Sequence, residues 1–385
     1  MRILLIHSIF YPAIGWGGPI TATYDLARKL VEKGHDVTVY TSNARDYNNN
    51  TEIENEKIIS GIKIRYFKNW SRGIKYFFTP GMIIPLLRNV TKFDVVHINS
   101  YRQFQDMISF IVCSILQKPF VLTSHGYVLP VGKGQSYKKF YDFIIGKKLL
   151  SSAKRIIAFH EKNLEEFTKM GVKKENIKII PNAIDIETLP QKGKLKKILN
   201  IPTDSQVILY LGRIEEEKGV GCLIKAFSKI KMEKVYLIIA GSDFQFLNKA
   251  KDLVKKLGIE SITYFIGLLD KEKKLQAFSD ADIVVCPSLH EAGFSLVVLE
   301  SAASAKPLII SDSIGFSEEI LLHNAGIVFP PKNVEKLTEA MKRMLQNLEE
   351  ANAMGVQAQE IVKKKFSWNI AIQKHLDVYL EVINN

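Results

Sequence analysis

The chain has 385 residues, 46% of them apolar and 24% charged, an ordinary globular composition long enough for two domains at roughly 100–200 residues each. Its three cysteines, Cys113, Cys222 and Cys286, stand far apart in apolar runs without metal-ligand spacing, which argues against a disulfide framework or a zinc site and for free thiols in a reducing compartment. The net charge of +13 is uneven: residues 1–170 carry 24 Lys+Arg against 13 Asp+Glu, or +11, and the remainder 29 against 27, or +2.

In chain order, short apolar runs alternate with amphipathic helical patterns, as expected of parallel sheets. The first strands fall at Ile3–Ile6, Val37–Tyr40, Ile62–Tyr66, Val95–Ile98, Phe120–Leu122, Ile156–Ala158 and Ile177–Ile180. Helical patterns at Ile20–Glu32, Gln105–Leu116, Phe140–Leu150 and Lys162–Lys169 lie between them, and Gly34 closes the first. The apolar start Met1–His7 is too short for a signal peptide. Phe104–Leu116, interrupted by Gln105 and Asp106, falls short of the roughly 20 residues that span a bilayer. The expected location is therefore cytoplasmic, with peripheral contact at the inner face of the cell membrane.

That contact is suggested by Ile58–Phe93, which has no acid but contains Lys63, Arg65, Lys68, Arg72, Lys75, Arg88 and Lys92 among Trp70, Tyr76, Phe77 and Phe78. A second basic stretch, Lys133–Arg155, is opposed by Asp142 alone. Basic residues mixed with aromatics suit an anionic membrane surface; the plainer alternative is a solvated face. Nucleic acid is not expected as a partner, because no binding motif accompanies the charge.

From Pro181 to Asp204 the alternation dissolves into Pro-, Asn- and Lys-rich sequence, the best domain boundary in the chain. Strands resume at Val207–Leu211, Val235–Ala240, Ile262–Phe265, Ile283–Cys286 and Leu308–Ile310. Three helical segments follow Pro331, with a break near Phe366-Ser367-Trp368.

The residues with chemistry sit at the carboxyl ends of these strands, where open α/β sheets bind ligands. Val207–Leu211 runs into Gly212-Arg213, and Lys218-Gly219 opens the next helix. Two cations and a helix dipole directed at one anion make a diphosphate site; an exposed turn is the alternative, since Glu215, Glu216 and Glu217 intervene. After Ile283–Cys286 comes the loop holding Glu291 and Gly293, and then a helix whose first amides, those of Phe294, Ser295, Leu296 and Val297, suit an anion. Glu300 lies within that apolar helix, where a carboxylate needs hydrogen-bond donors such as ribose hydroxyls. Asp280-Ala-Asp282 has cation-site spacing but precedes a strand and reads as a helix end.

In their order and spacing these segments resemble the retaining GT-B glycosyltransferases of group 1, family 4. The resemblance begins at Gly17-Gly18 and Lys33-Gly-His-Asp-Val37 and continues through Asp94-Val-Val-His97, Leu122-Thr-Ser-His125-Gly126 and Ile180-Pro-Asn182-Ala-Ile-Asp185. It runs on through Leu211-Gly-Arg213 with Lys218-Gly219 and the Glu291–Glu300 segment, and closes at Phe366-Ser-Trp368. It implies two Rossmann-like, doubly wound domains facing across a cleft: residues 1–185 on the acceptor side, residues 186–365 binding the nucleotide sugar, and residues 366–385 as a helix crossing back to the first domain. It also implies a nucleotide diphosphate sugar as donor (UDP-linked first, GDP-mannose next) and a glycan or lipid-linked acceptor. Configuration would be retained, without metal or cofactor.

By the same resemblance Gly17 and Gly18 would admit the donor phosphates and His125 would contact the transferring sugar. Arg213 and Lys218 would hold the diphosphate, Glu291 the sugar hydroxyls and Glu300 the ribose. Asn182 and Asp185 would shape the hinge. Two departures stand out. Eight residues separate Glu291 from Glu300 where the family usually has seven; either the loop has one residue more, or Ala292 occupies the usual place. Ala183 replaces the usual glycine after Asn182. Among other classes, a nicotinamide oxidoreductase lacks its Gly-X-Gly-X-X-Gly after a strand, and a nucleotide-sugar epimerase explains Gly212–Gly219 less well. A non-enzymatic basic binding protein leaves the second domain unexplained.

Overall fold

Aliphatic and β-branched runs of three to seven residues, bounded by Gly, Pro, Asn and Ser, become the strands of two sheets. The computed structural model describes residues 1–45, 55–71, 76–130, 134–186, 193–290 and 295–384. Its chain divides into two units, Met1–Asn182 with Trp368–Asn385, and Ala183–Ser367.

The first unit is built on an eight-stranded sheet of β1 (Arg2–Ile6), β2 (Asp36–Ser42), β3 (Glu56–Ile59), β4 (Ile62–Phe67), β5 (Val95–Ile98), β6 (Phe120–Thr123), β7 (Arg155–Ala158) and β8 (Ile177–Ile179). The order is β3-β4-β2-β1-β5-β6-β7-β8, parallel throughout except that β3 runs antiparallel to β4. Central β5 and β6 are buried at every residue, as expected of a parallel sheet covered on both faces. The edge strand β3, whose alternation is weak (Glu56-Lys57-Ile58-Ile59), was not anticipated from sequence. Helices α1 (Gly18–Glu32), α2 (Ile83–Asn89), α3 (Phe104–Ile115), α4 (Gln135–Tyr141), α5 (Lys147–Ser152) and α6 (Glu161–Lys169) flank it. Gly34 (φ +82°) follows α1 in the left-handed conformation its position requires.

The second unit has six parallel strands, β9 (Gln206–Leu211), β10 (Val235–Ala240), β11 (Thr263–Gly267), β12 (Ile283–Cys286), β13 (Leu308–Ser311) and β14 (Ile327–Phe329), in the order β11-β10-β9-β12-β13-β14. Its helices are α7 (Leu195–Ile198), α8 (Val220–Phe227), α9 (Leu247–Lys256), α10 (Lys271–Asp280), α11 (Leu296–Ala303), α12 (Ser317–His323), α13 (Val334–Gln346) and α14 (Leu348–Lys365). Leu223, Ile224 and Phe227 of α8 pack with Leu337, Met341 and Met344 of α13 in its core. Strand order reverses at β9/β12 here and at β1/β5 in the first unit; such switch points open crevices at the strands' carboxyl ends.

The last helix, α15 (Trp368–Asn384), belongs to the first unit and touches α1, β5 and β6. It buries Trp368, Ala371, Ile372, His375, Val378, Tyr379 and Val382, spaced three or four residues apart along one stripe. Glu381 pins its end, accepting from Arg155 Nε of β7 at 2.8 Å and from Lys178 Nζ of β8 at 2.9 Å.

Candidate active site

In the second unit the turn after β9 and the segment leaving β12 meet at the switch point. Gly212 (φ +148°) leaves β9 and Gly241 (φ +153°) leaves β10, and a Cβ on Gly241 would lie 1.7 Å from the Gly212 carbonyl oxygen. Only glycine permits so close an approach, and it fixes where Arg213 emerges. Tyr210 Oη donates to the Arg213 carbonyl at 2.7 Å. The Arg213 guanidinium lies 4.9 Å from the Phe244 ring centroid and 3.3 Å from the Glu215 carboxylate, and its side chain is 31% exposed. One face is stacked and one edge paired, so the cation is oriented without being neutralised by burial.

Lys218 ends the single turn Glu216–Lys218, and Gly219 (φ +74°) starts α8. A Cβ on Gly219 would come within 1.9 Å of the Pro287 carbonyl oxygen, so this turn is packed against the segment leaving β12. The contact continues as Leu289 N–H donates to the Glu217 carbonyl at 2.8 Å. Ser311 Oγ and Ser313 Oγ both donate to the Ser288 carbonyl, at 2.6 and 2.8 Å, and steady the same segment from β13. Glu291, Gly293 and Phe294, with Ala292, lie outside the described residues.

Ser295 is the N-cap of α11, and Leu296 and Val297 form its first turn, whose amides lack partners within the helix. Glu300 of the same helix is half-buried: Oε1 is paired with Lys274 Nζ of α10, and Oε2 is buried with no hydrogen-bond partner among the described residues. A buried acceptor left open costs free energy until a donor reaches it. The aspartates of the Asp280-Ala-Asp282 segment serve the backbone: Asp280, the last residue of α10, accepts from the amides of Leu195 and Lys196, and Asp282 from that of Val207. Among the described residues no group of His, Cys, Asp and Glu is arranged to hold a metal ion.

In the first unit Gly17 (φ +104°) and Gly18 open α1 with Pro19 behind them. His125 follows β6 in the left-handed region (φ +49°), which few non-glycine residues adopt. Its Nε2 lies 3.4 Å from Thr23 Oγ1 of α1, and its ring lies 5.8 Å from His7 and 5.4 Å from Phe159. Burial, together with His7 and His375, pushes the His125 pKa well below its ordinary value, so the ring is neutral.

His7, just after β1, and His97, within β5, are buried in this unit. His97 bridges Tyr379 Oη and Thr123 Oγ1, at 2.8 Å each, and so ties α15 to the strand that delivers His125. His160 is the N-cap of α6. Asn182 and Asp185 bracket Ala183-Ile184, and the Ile184 amide donates to the Phe366 carbonyl at 3.0 Å. Sequence reasoning missed Phe244, Lys274 and Tyr379; none sits in a motif, and only the glycine ending β10 hints at the crowding that places Phe244 near Arg213.

Two parallel-sheet units, each doubly wound, define the class as GT-B. Sucrose-phosphate synthase from Thermosynechococcus elongatus superposes with a TM-score of 0.80 at 19% identity over 100% of this chain and 99% of that one. HepE from Anabaena, in complex with UDP and glucose, gives 0.81 at 17% over 99% and 100%. Residues 16–188 match the family model of Glycosyltransferase Family 4, and residues 191–361 that of Glycosyl transferases group 1. An uncharacterized glycosyltransferase of Methanocaldococcus jannaschii is 27% identical over 98% of both chains. The chain belongs to the group 1, family 4 glycosyltransferases.

Proposed function

We propose that the chain transfers a hexosyl group from a nucleotide diphosphate sugar, UDP-linked in the first instance and GDP-mannose in the second, to a hydroxyl of a glycan or lipid-linked acceptor with retention of configuration. The observation that carries this reading is Arg213 at the carboxyl end of β9, braced by Phe244 and beside the Lys218 turn that docks on the segment after β12. The bond between the anomeric carbon and the phosphate oxygen breaks and one between that carbon and the acceptor oxygen forms. The departing diphosphate gains negative charge, which Arg213, Lys218 and the amides opening α11 offset from fixed positions. The acceptor's proton passes to the leaving phosphate oxygen, so no enzymic base is needed. Glu300 Oε2 accepts from a ribose hydroxyl, Glu291 from a sugar hydroxyl, and neutral His125 hydrogen-bonds the transferring sugar. The reaction on this reading uses neither metal nor cofactor.

The membrane side of the reading rests on the first unit. Ile58, Trp70 and Ile84 are 75%, 67% and 58% exposed, with Arg88 and Lys92 on the same acid-free stretch. No helix among the described residues is long and apolar enough to cross a membrane, so the proposal is of surface contact.

The test is thermal unfolding with UDP, GDP, ADP, CMP and NAD, each near a hundred times a plausible Kd. Binding at that excess adds about 2.7 kcal/mol, or a rise of about 5–10 °C for units of this size. A shift with UDP or GDP alone, lost in Arg213→Ala and in Glu300→Ala, is expected; a shift with NAD alone would refute the reading. NMR of the product's anomeric proton then reports retention, and activity undiminished by EDTA the absence of a metal requirement.

A further inference from the structure

The first unit carries an apolar helical face that its own fold does not use. Along the continuous helical segment 135–152, Tyr137, Phe140, Phe143 and Ile144 are 50%, 64%, 84% and 53% exposed. Their spacing puts them on one side, where Lys147 and Lys148 continue the stripe and Lys139 flanks it, all three exposed. The middle of the segment, Asp142–Gly146, is a π-helical turn, an insertion that recurs at functional sites.

The opposite side is fixed to the core. Asp142 is buried there and takes two bonds from Arg102, from Nε at 3.0 Å and Nη2 at 2.7 Å, and a third from Tyr101 Oη at 2.8 Å. Gly146 sits so close that a Cβ would meet Tyr101 Oη at 2.5 Å. Asp142 is also the one acid between Gly134 and Arg155. Turning it inward leaves an outward face of aromatic, aliphatic and cationic side chains and no negative charge.

We propose that this face docks the enzyme on an anionic lipid surface, with Phe140, Phe143 and Ile144 entering the headgroup boundary and Lys139, Lys147 and Lys148 meeting lipid phosphates. The charge complementarity selects lipid: an apolar stripe bordered by lysines alone is the arrangement of interfacial helices. The inference rests on the membrane-surface reading above and names the element that makes the contact. Tyr141 and Leu149, which point inward, are buried, so the docking residues can be changed without opening the core.

The test is co-sedimentation of the full chain with vesicles of equal parts phosphatidylcholine and phosphatidylglycerol, and with phosphatidylcholine alone. Binding to the anionic vesicles only, falling with added salt, is expected. The triple variant Phe140→Ser/Phe143→Ser/Ile144→Ser should abolish it, and Lys139→Glu/Lys147→Glu/Lys148→Glu should weaken it on the order of a hundredfold or more. Phe143→Trp should add a blue-shifted emission component with the anionic vesicles. Unchanged binding in both triple variants, or no binding by the parent chain, overturns the proposal. So does a dimer in light scattering that the serine variant dissolves without any vesicle binding, which assigns the face to a second copy. The UDP-dependent thermal shift is read on the same samples. Its persistence without vesicle binding sinks the docking face and leaves the transferase reading standing; vesicle binding without a nucleotide response does the reverse.

Discussion

Replacing Asp142 by Asn removes one charge from a pair whose side chains are only 6% (Asp142) and 9% (Arg102) exposed. The Asn keeps the volume, but Arg102 is left as a buried, uncompensated cation, a change that typically costs 3–5 kcal/mol. Arg102→Met should cost at least as much, because the guanidinium also donates to the carbonyls of Tyr127 and Val128, which would lose their partner. The double variant should cost less than the sum, since neither charge is then stranded, giving a coupling of about 2 kcal/mol or more. The assay is urea unfolding followed by tryptophan fluorescence. Trp16, Trp70 and Trp368 are the chain's three tryptophans and all lie in the first unit, so the signal reports that unit alone. A loss below about 1 kcal/mol for Asp142→Asn, or single effects that add within about 0.5 kcal/mol, would refute the argument that this pair holds the segment after His125 in place.

The first unit should also lose stability in mild acid. His7 and His375 are held down to about 4 by burial, below the ordinary 6.5. The depressed values mean stability is present above pH 6.5 and lost as pH falls towards 4, by about 2 kcal/mol for each histidine at pH 5; the same fluorescence assay at pH 7 and pH 5 checks this, and His375→Gln should shrink the difference by about 2 kcal/mol, leaving the share of His7. Gly219→Ala combines a left-handed φ with a Cβ 1.9 Å from the Pro287 oxygen. It should cost about 2–4 kcal/mol by circular dichroism melting and weaken the UDP shift, because the Lys218 turn and the segment after β12 must move apart. Lys274→Met frees the Glu300 carboxylate from its partner and should weaken UDP binding about tenfold by titration calorimetry, the worth of one charge-assisted hydrogen bond.

Much of the fold was legible because its strands are buried runs: Val95–Ile98, Val235–Ala240 and Ile283–Cys286 coincide with the expected spans. Strands β3 and β14 were not, being short edge strands with mixed or half-buried residues that lack a periodic signal. Within the second unit the Lys218 turn and the segment after β12 pack together, since both are products of one switch point. What stayed hidden were partners set by tertiary approach. Lys274 reaches Glu300 from another helix, Phe244 reaches Arg213 from another strand's loop, and Tyr379 meets His97 across 282 positions of sequence. Asp142 was visible as the one acid in a basic stretch, but its inward turn depends on a π-helical insertion with no sequence signature.

The chain leaves the first unit at Asn182 and returns to it at Trp368. During synthesis at about 5–20 residues per second, the intervening unit takes roughly 10–40 s to emerge. Throughout that interval the nascent first unit has β5 and β6 without the helix that will cover them, and His97 without Tyr379. Its completion is timed by the other unit's translation, so a chaperone that shields this surface would serve a waiting period written into the order of the gene.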